Sequence, residues 1–173
     1  MLFKDKVSEI TPAIINKVIG GDEAAFELIY NHISGKIYAI CFRYSNTTAE
    51  ASTIFEKAFF NIHSNLISYV FNESFVVWAM DIAVFTCLKN NKAQIDNNFL
   101  EAEMKDVESD KWDDIIKSCK ILSTDKLINA LQDLNVGYRT VFNLYNKEGY
   151  NHVKISEILG ITIENSKIQK KAC

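Results

Sequence analysis

Gly160 is the residue that most constrains how this chain can fold. Ahead of it, from His152 to Leu159, the residues Val153, Ile155, Ile158 and Leu159 recur at helical spacing, which predicts a short helix with one apolar face. A glycine placed directly after such a run can end it in the left-handed conformation, because it has no Cβ to obstruct a positive φ. Thr162 then offers a hydroxyl to cap a second helix running from Ile163 to the last residues. Small Ser156 stands four residues before the glycine, where helices meeting at such a turn come close. Helix, glycine turn and capped helix together make a helix-turn-helix, a unit that usually lays its second helix in a DNA major groove. The cap and second helix carry Thr162, Glu164, Asn165, Ser166, Lys167, Gln169, Lys170 and Lys171. Short polar and amide side chains reach base edges and lysines neutralise phosphates, so these are the candidate duplex contacts.

The rest of the composition agrees with an all-helical protein. One proline and six glycines in 173 residues are too few for a turn-rich β architecture, and 48% apolar residues supply packed cores. The net charge of −3 excludes a generally basic coat for nucleic acid. Its distribution is more telling: residues 101–120 hold 4 Lys/Arg against 7 Asp/Glu, whereas residues 121–173 hold 7 against 5. Affinity for DNA is therefore expected in the C-terminal part. Cys41, Cys87, Cys119 and Cys173 are widely spaced with no paired motif, which fits a reducing compartment and no metal site. No apolar run has signal-peptide or membrane-spanning length, so the expectation is a cytoplasmic protein with no membrane role and no cofactor.

Local signals divide the chain. Thr11-Pro12 predicts a helix start, and Gly20-Gly21 an end near Ile19. Asp22 predicts the cap of a longer helix with Phe26, Ile29, Ile33, Ile37, Ile40 and Tyr44 on its apolar positions. Thr47 and Glu50 form a capping box before a stripe of Ala51, Ile54, Phe55, Ala58, Phe59, Ile62 and Leu66. A loop around 65–72 follows. Ser74 then predicts a helix from Phe75 to about Lys89 that is apolar nearly all round and expected to be buried, Trp78 and Phe85 included. From Asn90 to about Ser123 the chain turns polar and acidic and reads as a linker. Helical pattern resumes at Thr124.

The order of these parts carries a family resemblance. The segment 21–30 (Gly-Asp-Glu-Ala-Ala-Phe-Glu-Leu-Ile-Tyr), a capped helix, a Phe-x-x-Trp helix, an acidic linker and a terminal helix-turn-helix together resemble the extracytoplasmic-function sigma factors. Those proteins are promoter-specificity subunits of bacterial RNA polymerase. The strongest match is Leu131 to Leu134, Gly137 to Tyr145 and Ile155 to Ile161.

The resemblance implies two small helical domains, 1–92 and 124–173, joined by a linker over 93–123. The first would bind bacterial core RNA polymerase and the melted −10 strand, and the second would bind the −35 element of promoter DNA. It implies core polymerase contacts at Glu50, Thr53, Glu56, Lys57 and Phe60, and strand contacts at Asn65, Tyr69, Trp78, Lys89 and Lys92. An anti-sigma factor is a further implied partner. The sequence departs from the family pattern where strand-holding basic residues and an asparagine are usual: Val76, Asp81, Val84 and Phe85 stand there instead. That departure raises a second reading, a sigma-like protein that binds polymerase or a regulator without opening promoters. An enzyme is a third class, but His32, His63 and His152 form no nucleophile–base pairing at a meaningful spacing, and no catalytic activity is expected.

Overall fold

The computed structural model describes residues 9–102 and 131–171. Every regular element among them is helical: α1 (Pro12–Ile19), α2 (Glu23–Tyr44), α3 (Thr48–Asn65), a 3-10 turn (Leu66–Ser68), α4 (Phe75–Ala102), α5 (Val136–Asn146), α6 (His152–Leu159) and α7 (Ile163–Lys171). The all-α expectation holds. The resumption of helix at Thr124 and the stretch 103–123 of the expected linker lie outside the described residues, as do Cys119 and Cys173.

Contacts divide the chain into two units. One comprises the residues up to Phe42 with Ala49–Cys87, and the other Arg43–Thr48 with Leu88 onward. In the first, Pro12 sits in the opening turn of α1 and Thr11 Oγ1 accepts from Ile14 N at 3.4 Å. Asp22 Oδ1 likewise accepts from Ala25 N at 3.0 Å, so α2 starts where its cap predicts. Ile29, Ile33, Ile37 and Ile40 on α2 are buried, as are Ala51, Ile54, Ala58, Phe59 and Ile62 on α3. Each large side chain so buried contributes about 1.5–3 kcal/mol. Tyr30, Tyr38, Phe42, Phe55 and Phe59 add a chain of aromatic contacts, with Phe55 and Phe59 centroids 4.8 Å apart.

α4 corrects two expectations. It is not buried all round: Phe75, Ala79, Ala83, Val84 and Cys87 face the core, but Val77 and Phe85 are about half exposed. The apolar run exceeds one face of the helix, so some of it must meet solvent. The helix also continues past Lys89 to Ala102, through the start of the expected linker. Leu88, Asn91 and Ile95 recur at helical spacing and are buried, and no proline or glycine interrupts them. Polar composition concealed that stripe.

In the second unit α5, α6 and α7 pack against one another. Val136, Val141, Leu144 and Ile155 form their core. Arg139, on the inner face of α5, is 0% exposed. Its guanidinium donates to the carbonyls of Gln132 (2.8 Å) and Leu134 (3.5 Å) and to Asn46 Oδ1 (2.8 Å). The first two acceptors end the turn that precedes α5, where a cation complements the carbonyl end of a helix. One turn along α5, buried Asn143 donates to the Arg43 carbonyl at 2.9 Å. Arg43 in turn pairs with Glu148 at 3.1 Å, and buried Asn91 donates to the Tyr44 carbonyl at 2.7 Å. The segment 43–48 is thus held by α4, α5 and the turn after α5. Hydrogen bonds to charged groups contribute about 1.5–3 kcal/mol each.

Candidate nucleic-acid interface

The turn between α6 and α7 forms as its residues dictate. Asn151 Oδ1 caps α6 by accepting from Lys154 N at 2.9 Å. Gly160 closes it at φ 69°, and the Ser156 carbonyl accepts from both Gly160 N (2.9 Å) and Ile161 N (3.1 Å). Thr162 Oγ1 then accepts from Asn165 N at 3.0 Å, opening α7 as predicted. The apolar face of α6 is narrower than expected. Ile155 is buried and Ile158 and Leu159 are half-buried, but Val153 is exposed. Residues two apart on a helix point about 200° apart, so Val153 and Ile155 cannot share a face.

On α7, Glu164 and Lys167 are exposed, Thr162 is exposed at the cap, and Asn165 is half-buried. Gln169, Lys170 and Lys171 belong to the helix, but their side chains lie outside the described residues. Ser166 is a correction. It is 0% exposed, and its hydroxyl lies 2.9 Å from His152 Nδ1. The His152 ring is also stacked on Tyr145, with centroids 4.7 Å apart. Ser166 therefore fastens α7 to the start of α6, and its hydroxyl is turned away from solvent. Sequence reasoning missed this pin. The available signal was a histidine beside a helix cap, 14 residues before a serine on the following helix.

The candidate polymerase contacts fall on one side of α3. Thr53, Glu56, Lys57 and Phe60 are exposed, with Glu50 half-buried, and their i, i+3, i+4 and i+7 spacing makes a single stripe. Phe60 is 71% exposed, unusual for a phenylalanine on a helix whose other face supplies a core. Thr53 spends its hydroxyl on the Ala49 carbonyl at 3.1 Å.

The candidate strand contacts differ in setting. Asn65 is exposed and donates to the Asn61 carbonyl at 2.7 Å. Tyr69 is buried. Its hydroxyl donates to the Glu73 carbonyl, and burial, then the Glu73 and Glu9 carboxylates, push its titration up. Trp78 is half-buried against Tyr69 and Phe75, at centroid distances of 5.0 and 5.5 Å. Tyr69, Phe71 and Phe75 line a cavity of about 480 Å³ with Glu9, His32 and Glu73. Lys89 and Lys92 are exposed, the latter paired with Asp96 at 3.3 Å. An exposed pair of this kind contributes about 0–1 kcal/mol, so it hardly ties up the lysine.

Among the described residues no cluster of His, Cys, Asp or Glu could hold a metal ion, and no helix is long and apolar enough to cross a membrane. No family model matches the chain. It is 28% identical over 158 residues to the ECF RNA polymerase sigma factor SigW of Bacillus subtilis (strain 168), covering 86% of this chain and 84% of that protein.

Proposed function

The chain belongs to the extracytoplasmic-function sigma factors, and from that premise we propose that it binds bacterial core RNA polymerase and directs initiation at promoters of its own. The observation that carries this reading is similarity over 158 residues, 86% of this chain and 84% of the relative. A relative matched only in its DNA-binding end would not support polymerase docking. Similarity of this extent favours initiation over the docking-only alternative.

Within that function, residues 124–173 read the −35 duplex, with Glu164 and Lys167 on the exposed side of α7 and Gln169, Lys170 and Lys171 further along it. Residues 1–92 meet the polymerase along the α3 stripe that ends at Phe60. The melted −10 strand lies along the segment after α3, where Asn65 is exposed and the aromatic-lined cavity opens. An anti-sigma factor holds the protein idle. Run-off transcription with reconstituted core enzyme tests the reading. A promoter-specific transcript that depends on this protein is expected, and binding to core with no such transcript on any promoter of its source genome would overturn it.

A further inference from the structure

Val77, Asp81 and Phe85 recur every four residues along α4 and form one stripe. Val77 is 49% exposed, Phe85 is 53% exposed, and Asp81 between them is partly exposed. The stripe is about 12 Å long, two helical turns. Single exposed apolar residues are ordinary on a protein surface. Two of them bracketing one carboxylate, the three spread over about 80° of the helix surface, make a surface with a defined complement.

Electrostatics select that complement. Asp81 is partly buried beside the Glu73 carboxylate, and burial, then that carboxylate, raise its pKa from the ordinary value, so its charge is poorly compensated. Nucleic acid phosphates would be repelled by Asp81 and Glu73 together. A second copy packed about a two-fold axis through the stripe would set Asp81 against Asp81. The acidic stretch 101–120, with 7 acids to 4 bases, carries the wrong sign to fold back on it. A cation flanked by apolar groups satisfies all three positions at once. We propose that the Val77–Asp81–Phe85 stripe of α4 is a docking face for an amphipathic helix of a partner protein, one that carries Lys or Arg between two apolar residues at the same four-residue spacing.

The test uses the full-length protein and two synthetic amphipathic helical peptides that differ only at the centre of the apolar stripe, Lys in one and Glu in the other. Fluorescence anisotropy is expected to show the Lys peptide binding at least about tenfold more tightly. Asp81→Lys inverts the preference, and Phe85→Ser weakens the Lys peptide by a similar factor. Circular dichroism melts establish that each variant is folded. Should Asp81→Lys fail to fold, Asp81→Asn is expected to abolish the discrimination without inverting it. Equal affinity for the two peptides, failure of both to bind, or a preference that survives the Asp81 change would overturn the proposal. So would self-association in sedimentation velocity that Phe85→Ser removes, which would make a second copy the occupant. Loss of single-stranded DNA binding in Phe85→Ser would overturn it in favour of nucleic acid.

Discussion

Ser166 sits among Glu164, Asn165 and Lys167, and nothing in its immediate neighbours distinguishes it from them. Its position opposite His152 is decided by how α7 lies on α6, information that sequence spacing does not carry. Ser166→Ala is expected to cost about 1 kcal/mol of stability by removing a buried hydrogen bond, seen as a lowered thermal midpoint, with unchanged preference among −35 duplexes. A changed base preference at unaltered stability would show that Ser166 meets DNA after all. Asp81 offers a second check. Its pKa is raised, so the folded protein holds a proton more readily than the unfolded chain does. Stability from this group is present at low pH and lost as pH rises through the raised pKa. Asp81→Asn is therefore expected to melt above the parent at neutral pH, and the gain should disappear below the usual carboxylate pKa of about 4. A gain that persists at low pH would point to packing rather than charge.

Elements with local punctuation were readable in the sequence. Thr11, Asp22 and Thr162 each cap the helix they predict, and Gly160 takes the left-handed conformation its place requires. Signals of this kind act within one turn, so they survive without knowledge of the fold. The length of α4 was not readable, because a buried stripe of Leu88, Asn91 and Ile95 is diluted by the polar residues around it. Nor was the exposure of Phe85, since an unbroken apolar run does not say which side faces out. At Gly160 the element makes a firm demand. Gly160→Ala is expected to cost about 1–2 kcal/mol for a Cβ forced to positive φ, and Gly160→Asn less, by thermal denaturation. Equal and negligible losses would mean that the turn has another conformation in solution.

For the molecule as a whole, charge is apportioned rather than abundant. With a net charge of −3, the duplex affinity of the proposed function is expected to rest on a few lysines of the C-terminal part. If Lys167, Lys170 and Lys171 each neutralise one phosphate, log affinity for a −35 duplex should fall with log salt at a slope no steeper than about −3. Lys167→Ala should flatten that slope by about 0.9. A slope near −6 would require basic contacts elsewhere in the chain.

The grouping of Arg43–Thr48 with the helix-turn-helix has a consequence for ancestry. Arg139 and Asn143 are answered by Asn46 and the Arg43 carbonyl, across about 100 residues of sequence. A gene fragment carrying only the C-terminal half does not encode all of the module it appears to contain. Exchange of C-terminal halves between related genes would bring a new arginine to an old loop, and the hybrid inherits its stability only where that loop matches. The helix-turn-helix end of this chain is therefore not freely portable: it travels intact only with six residues encoded far upstream of it.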